Sequence, residues 1–216
     1  MKKLNIIPLI LAAIGLIAWK ATANDKYTEN MQKNINAVYS AKSVEEIQTI
    51  VNAFERIGEA EKTKWEPFYY ASYGYLMMAV QEKESSKKDA PLDLALKALE
   101  KAKAVNPAES EIVALEGFIH MIRVSVDPAS RGQQYSGLAM QNFGKALGLN
   151  PNNPRALYLM AQMQYGTAQF FGSPTDEACG TLAKAIAAFD NTKPENPLSP
   201  AWGKNMALGM KENMCK

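Results

Sequence analysis

Few side chains in this sequence could carry out covalent or proton-transfer chemistry. The 216 residues hold one histidine and two cysteines. His120 sits in an apolar run, Phe118-Ile119-His120-Met121-Ile122. A lone imidazole can serve as a base or a pH switch. Base catalysis also needs a nucleophile and a group that orients the ring, and no nucleophile-elbow or triad pattern accompanies it. The expectation is a packed, hydrogen-bonded histidine. Cys179 and Cys215 are too far apart in sequence for a Cys-x-x-Cys redox pair. In an oxidising compartment an even pair of cysteines is disulfide material. A bridge between them would add roughly 3–4 kcal/mol in the chain-entropy model. So few ligating side chains exclude a multi-ligand zinc or iron–sulfur site. Gly-rich phosphate loops, His-Glu-x-x-His and calcium-loop patterns are absent. The sequence therefore predicts no enzyme, no metal and no cofactor.

The elements that must position these residues begin with an address. Met1-Lys2-Lys3 precedes an apolar run from Leu4 to Trp19, and Ala21-Thr22-Ala23 follows. Two lysines, a short apolar stretch and a small-x-small end are the parts of a secretory signal peptide spanning residues 1–23. The run is about 16 residues and contains Pro8, whereas a spanning helix wants about 20. Cleavage after Ala23 is the reading, with an uncleaved inner-membrane anchor as the alternative. No later segment is apolar enough to span a bilayer. The compartment is then the periplasm or the exterior. The first 23 residues carry three lysines and no acid, so removing them takes the net charge from +2 to −1. No electrostatic footprint for nucleic acid remains.

Residues 24–216 read as helix nearly throughout, giving an all-α fold. The chain is 47% hydrophobic, and Ala, Leu, Met, Lys, Glu and Gln dominate the long segments. Helices are predicted over 25–41 and from Val44, then near Lys62, Pro91, Glu109, Gln133, Pro154, Thr175 and Ser199. Ser43-Val44-Glu45-Glu46 is a capping-box pattern. A self-similar spacing runs through the later helices. Ala95-x3-Leu99-x2-Ala102-x4-Pro107 is followed by Ala139-x3-Phe143-x2-Ala146-x4-Pro151 and Ala178-x3-Leu182-x2-Ala185-x4-Asp190. Gly117 and Ala161 hold equivalent small positions in the helices that follow the two prolines. Small residues in step let antiparallel helices approach closely, and one bulky residue fills the gap between hairpins.

This pattern resembles the tetratricopeptide repeat, best within residues 91–190. The resemblance implies an antiparallel helix-hairpin solenoid of three to four repeats, with a closing helix over 199–216 that starts at Trp202. Pro107 and Pro151 lie 44 residues apart, against a family period of about 34. The surplus is expected between the two helices of a repeat, at Gln81–Ala90, Ser125–Gln134 and Gly166–Asp176. If the first helices line a concave face, as in the family, the register turns Glu66, Tyr70, Tyr73, Phe118, Met121, Arg155, Tyr158, Gln162 and Tyr165 toward that groove. Tyr, Arg and Met are favoured at interfaces. The same rings could instead be interhelical core. A groove predicts partial exposure of Tyr70, Tyr73 and Tyr158. The function implied is a non-catalytic module of the bacterial envelope that holds a protein or peptide segment. One alternative is a structural subunit or spacer of an envelope assembly. Another is a small-molecule binder or enzyme with its site under the long insertions, using Arg131, Tyr135 or Asp127.

Overall fold

The computed structural model describes residues 25–215. The expected signal segment, 1–23, lies outside the described residues. Helix α1 occupies residues 25–40. It is followed by α2 (Val44–Ala60), α3 (Glu66–Gln81), a 3-10 turn (Ser85–Lys87), α4 (Asp89–Val105), α5 (Ser110–Val124), α6 (Pro128–Leu149), α7 (Pro154–Phe171), α8 (Asp176–Asn191) and α9 (Lys204–Met214). The fold is all-α, with no strand among the described residues. None of the described helices is long and apolar enough to cross a membrane.

Helix starts follow side-chain chemistry. The Ser43 hydroxyl accepts from the Glu46 amide at 3.2 Å, and the Glu46 carboxylate accepts from the Lys42 amide at 2.8 Å. Asp127 and Asn153 cap α6 and α7 in the same manner, each followed by a proline at the first helical position. Packing then fixes the helices, which short isolated segments could not sustain. The pairs α3/α4, α5/α6 and α7/α8 form hairpins, α2 lies on α3, and α5 touches both α3 and α7. That packing is consistent with hairpins stacked in order.

The recurring residues hold the hairpins together. Ala95, Leu99, Ala102, Ala139, Phe143, Ala146, Ala178, Leu182 and Ala185 are all at most 2% exposed. At Gly117 a Cβ would lie 2.4 Å from the Phe143 ring and 3.2 Å from the Ala139 carbonyl oxygen. The small residue on α5 therefore makes the space that the bulky residue on α6 fills.

Two expectations need correction. Of the three surplus stretches, Gln81–Ala90 is a loop with a 3-10 turn between α3 and α4, but the other two are largely helix. Ser125–Gln134 is helical from Pro128, and Gly166–Asp176 is helical to Phe171. Asp127 and Pro128 start α6 early, so the extra length becomes additional turns. The closing helix begins at Lys204 rather than at 199 or Trp202. Gly203 takes φ 107°, a conformation a helix cannot continue through, and Trp202 turns inward instead.

Candidate functional site

Of the residues expected to line a groove, Tyr70, Tyr73, Phe118 and Arg155 come together around Leu198 and Trp202, but they are covered. Tyr70, Tyr73 and Tyr158 are 0%, 7% and 3% exposed, so the expected partial exposure is wrong. Tyr158 is packed into the main core. Tyr70 and Tyr73 lie beneath the chain's own segment between α8 and α9. Trp202 stacks on Tyr73 at 5.5 Å between ring centroids and lies 5.7 Å from Phe118. The Trp202 indole N–H donates to the Tyr69 hydroxyl at 3.0 Å. The Tyr70 hydroxyl donates to the Leu198 carbonyl at 2.8 Å, and the Ala201 amide donates to the Tyr39 hydroxyl at 3.2 Å. Burial pushes the Tyr69, Tyr70 and Tyr73 hydroxyls well above the ordinary tyrosine pKa. All three stay neutral, and Tyr69 and Tyr70 hydrogen-bond, which is what an apolar wall tolerates.

Arg155 ties this wall to the array. Its guanidinium donates to the two Glu111 oxygens at 2.5 and 3.0 Å and to the Trp202 carbonyl at 3.1 Å. Asn153, the α7 cap, donates to Glu111 and to the Ser110 hydroxyl. Burial opposes the Arg155 charge, but the Glu111 carboxylate more than offsets it, so the Arg155 pKa lies above its ordinary value. The other expected groove residues are dispersed. Glu66 is buried, and Met121, Gln162 and Tyr165 are half-buried. Met121 and Tyr165 pack against the core.

The residues considered for chemistry have structural surroundings. Asp127 caps α6 through Ser130. Arg131 pairs with Asp89 at 2.7 Å, and Arg123 bonds to both Asp89 and Asp93. Tyr135 stacks on His120 at 5.9 Å and lies under the Arg123 guanidinium. The expected hydrogen bond at His120 is missing at Nδ1, which is buried without a partner. Burial lowers the His120 pKa; Glu116 opposes this, while Arg123 and Lys103 add to it. The folded state therefore binds fewer protons than the unfolded chain as pH falls through about 6.5. Stability gained at neutral pH should decline on acidification. Urea midpoints at pH 7.5 and 5.5 check this: the His120→Phe variant should lose less than the parent, and equal losses contradict the assignment.

Cys179 and Cys215 lie at disulfide distance, with Cα atoms 5.5 Å apart. Sequence reasoning missed the covering segment and the members of the wall outside the α3, α5 and α7 register, namely Tyr39, Tyr69 and Trp202. Pro194, Pro197 and Pro200 were the signal for a helix-free strap.

An open apolar feature lies elsewhere. Phe170 and Phe171, at the C-terminal end of α7, are 81% and 72% exposed and meet edge to face. They sit about 24 Å along the helix from Arg155, at 1.5 Å per residue. Phe171 borders a cleft of about 410 Å³ lined by Met140, Ala168 and Ala178, with Ser136, Gln164, Thr167, Ser173 and Glu177 at its polar positions. Gln164 and Glu177 bond to each other at 2.9 Å. A second cleft, about 630 Å³, is mostly polar and lies where the strap passes the N-terminal ends of α5 and α7.

No family model matches the chain, the tetratricopeptide repeat included, and no curated protein sequence matches it. Among solved structures it is similar to the HusA haemophore from Porphyromonas gingivalis. The TM-score is 0.76 at 29% sequence identity, over 85% of this chain and 90% of that chain. That protein is a haemophore, so the neighbour is a binding protein rather than an enzyme.

Proposed function

We propose that this chain is a non-catalytic binding protein acting outside the cytoplasm, and that its cargo is a flat, largely apolar small molecule of the tetrapyrrole class. The observation that carries the reading is the exposed Phe170–Phe171 pair beside an open apolar cleft. The likeness to a haemophore over nearly the whole chain supports the same cargo class. The residues present suit such a ligand. Phe171, Met140 and Ala168 offer apolar surface to one face of a macrocycle, and Ser136, Thr167 and Ser173 offer hydroxyls to polar substituents. The peptide-groove reading loses its support, because the strap already covers the wall that a peptide would need. The disulfide accords with an oxidising compartment.

The test is titration of haemin into the chain lacking residues 1–23, followed by the Soret band. The parent should saturate with a spectral shift. Each phenylalanine newly buried against a ligand contributes about 1.5–3 kcal/mol, so Phe170→Ser/Phe171→Ser should weaken binding at least about tenfold. Because both rings are exposed, the melting temperature should stay nearly unchanged. No saturable change in the parent overturns the reading. The exposed pair also favours a second reading, a contact surface in an envelope assembly. In that case the double substitution leaves haemin binding alone and abolishes co-purification with envelope proteins.

A further inference from the structure

The strap over the aromatic wall has an unusual anchorage. Residues 192–197 are exposed, whereas Leu198, Pro200 and Trp202 are buried, alternating with the exposed Ala201 and half-buried Ser199. The strap turns at Asn196–Ser199, where the Ser199 amide donates to the Asn196 carbonyl at 3.1 Å, and from Leu198 to Trp202 it lays its buried residues on the wall. Four polar contacts hold it there, from Tyr39, Tyr69, Tyr70 and Arg155. Both of its ends are rooted on α8. The upstream end leaves α8 at Asn191. The downstream end passes into α9, whose last neighbour, Cys215, is bridged to Cys179 in the first turn of α8.

α9 itself is weakly held. It has 11 residues and buries only Ala207 and Met210. A helix that short does not persist without tertiary support. Its Lys204–Asp190 ion pair joins two side chains that are each about half exposed, and such pairs contribute little. The bridge is therefore the main constraint on the downstream anchor. Both cysteines are half-exposed, within reach of a thiol.

We propose that residues 192–203 are a lid on the aromatic wall, and that the Cys179–Cys215 disulfide is its latch. A dithiol reductant opens the latch by thiol–disulfide exchange: its thiolate attacks one sulfur, and its second thiol resolves the mixed disulfide. Two electrons and two protons pass to the cysteines, which become thiols, and the reductant becomes a disulfide. With α9 freed, the lid samples an open state that uncovers Tyr69, Tyr70, Tyr73 and Phe118, a ring-lined surface able to take an apolar ligand. This goes beyond the tetrapyrrole reading, which rests on the cleft at the far end of α7 and needs no lid motion.

Amide hydrogen exchange on the chain lacking residues 1–23 tests it, with no cargo present. Three samples are compared: oxidised parent, parent reduced with dithiothreitol, and Cys179→Ser/Cys215→Ser. Reduction and the double substitution should each speed exchange of the 198–203 amides at least about tenfold, while amides in α3, α5 and α7 keep their protection. The apolar dye anilinonaphthalene sulfonate should brighten with the reduced chain and not with the oxidised one. Faster exchange confined to 204–214 overturns the proposal, because the lid then stands without its latch. Faster exchange throughout the array overturns it as well, because the bridge then staples the whole fold. Either result leaves the haemin titration to be judged independently.

Discussion

Replacing Arg155 with methionine should destabilise the fold by about 3–5 kcal/mol, the range for removing one member of a buried ion pair. The cost does not come from losing an attraction alone. Glu111 is 9% exposed, and without the guanidinium its carboxylate would be a buried charge with only Asn153 to solvate it. The Trp202 carbonyl would also lose its donor. The double variant Arg155→Met/Glu111→Gln should recover more than half of the deficit, since the amide oxygen still accepts from Asn153 and no charge remains. Urea denaturation of the two variants and the parent measures both effects. A single-variant loss below about 1 kcal/mol would show that water reaches the pair, and that the surface-bridge range applies.

Gly117→Val should cost about 2–3 kcal/mol by overpacking. The added Cβ would meet the Phe143 ring at 2.4 Å and the Ala139 carbonyl oxygen at 3.2 Å. A ring can swing aside, but the α6 backbone behind it moves only if α5 and α6 separate. Pairing the change with Phe143→Leu should restore part of the stability, whereas Gly132→Val, where a Cβ meets nothing within 4 Å, should leave the fold near the parent. For a chain of this size each kcal/mol moves the melting temperature by about 2–4 °C, so calorimetry separates the three variants.

The helices and the hairpin contacts were legible because they depend on local chemistry. Capping by Ser43 and Asn153, the spaced alanines, the small position at Gly117 and the paired cysteines all act over one or two helices. The lid was not legible, for a physical reason. The helical register shows which way Tyr73 or Phe118 points, but not whether Trp202, 129 and 84 residues downstream of them, covers them. Trp202 was misplaced because a large apolar residue beside an amphipathic stretch looks like the start of that stretch. Its true position depends on Gly203 bending the chain and on partners from α3 and α5. Phe170 and Phe171 carried no warning either. An apolar pair before a glycine reads as an ordinary helix end, and only the three-dimensional arrangement shows that nothing covers it.

The Tyr39 hydroxyl and the Ala201 amide meet across 162 residues of chain. In an open array each unit depends on its immediate neighbours, and unravelling can start at either terminus. Here the strap touches α1, the first of the described helices, so the two ends of the described array secure one another. So distant a pairing carries a loop-closure cost that local helix contacts do not, which slows folding. Once made, it joins the outermost described parts of the array directly, so neither the strap nor α1 can peel away without breaking a contact to the other.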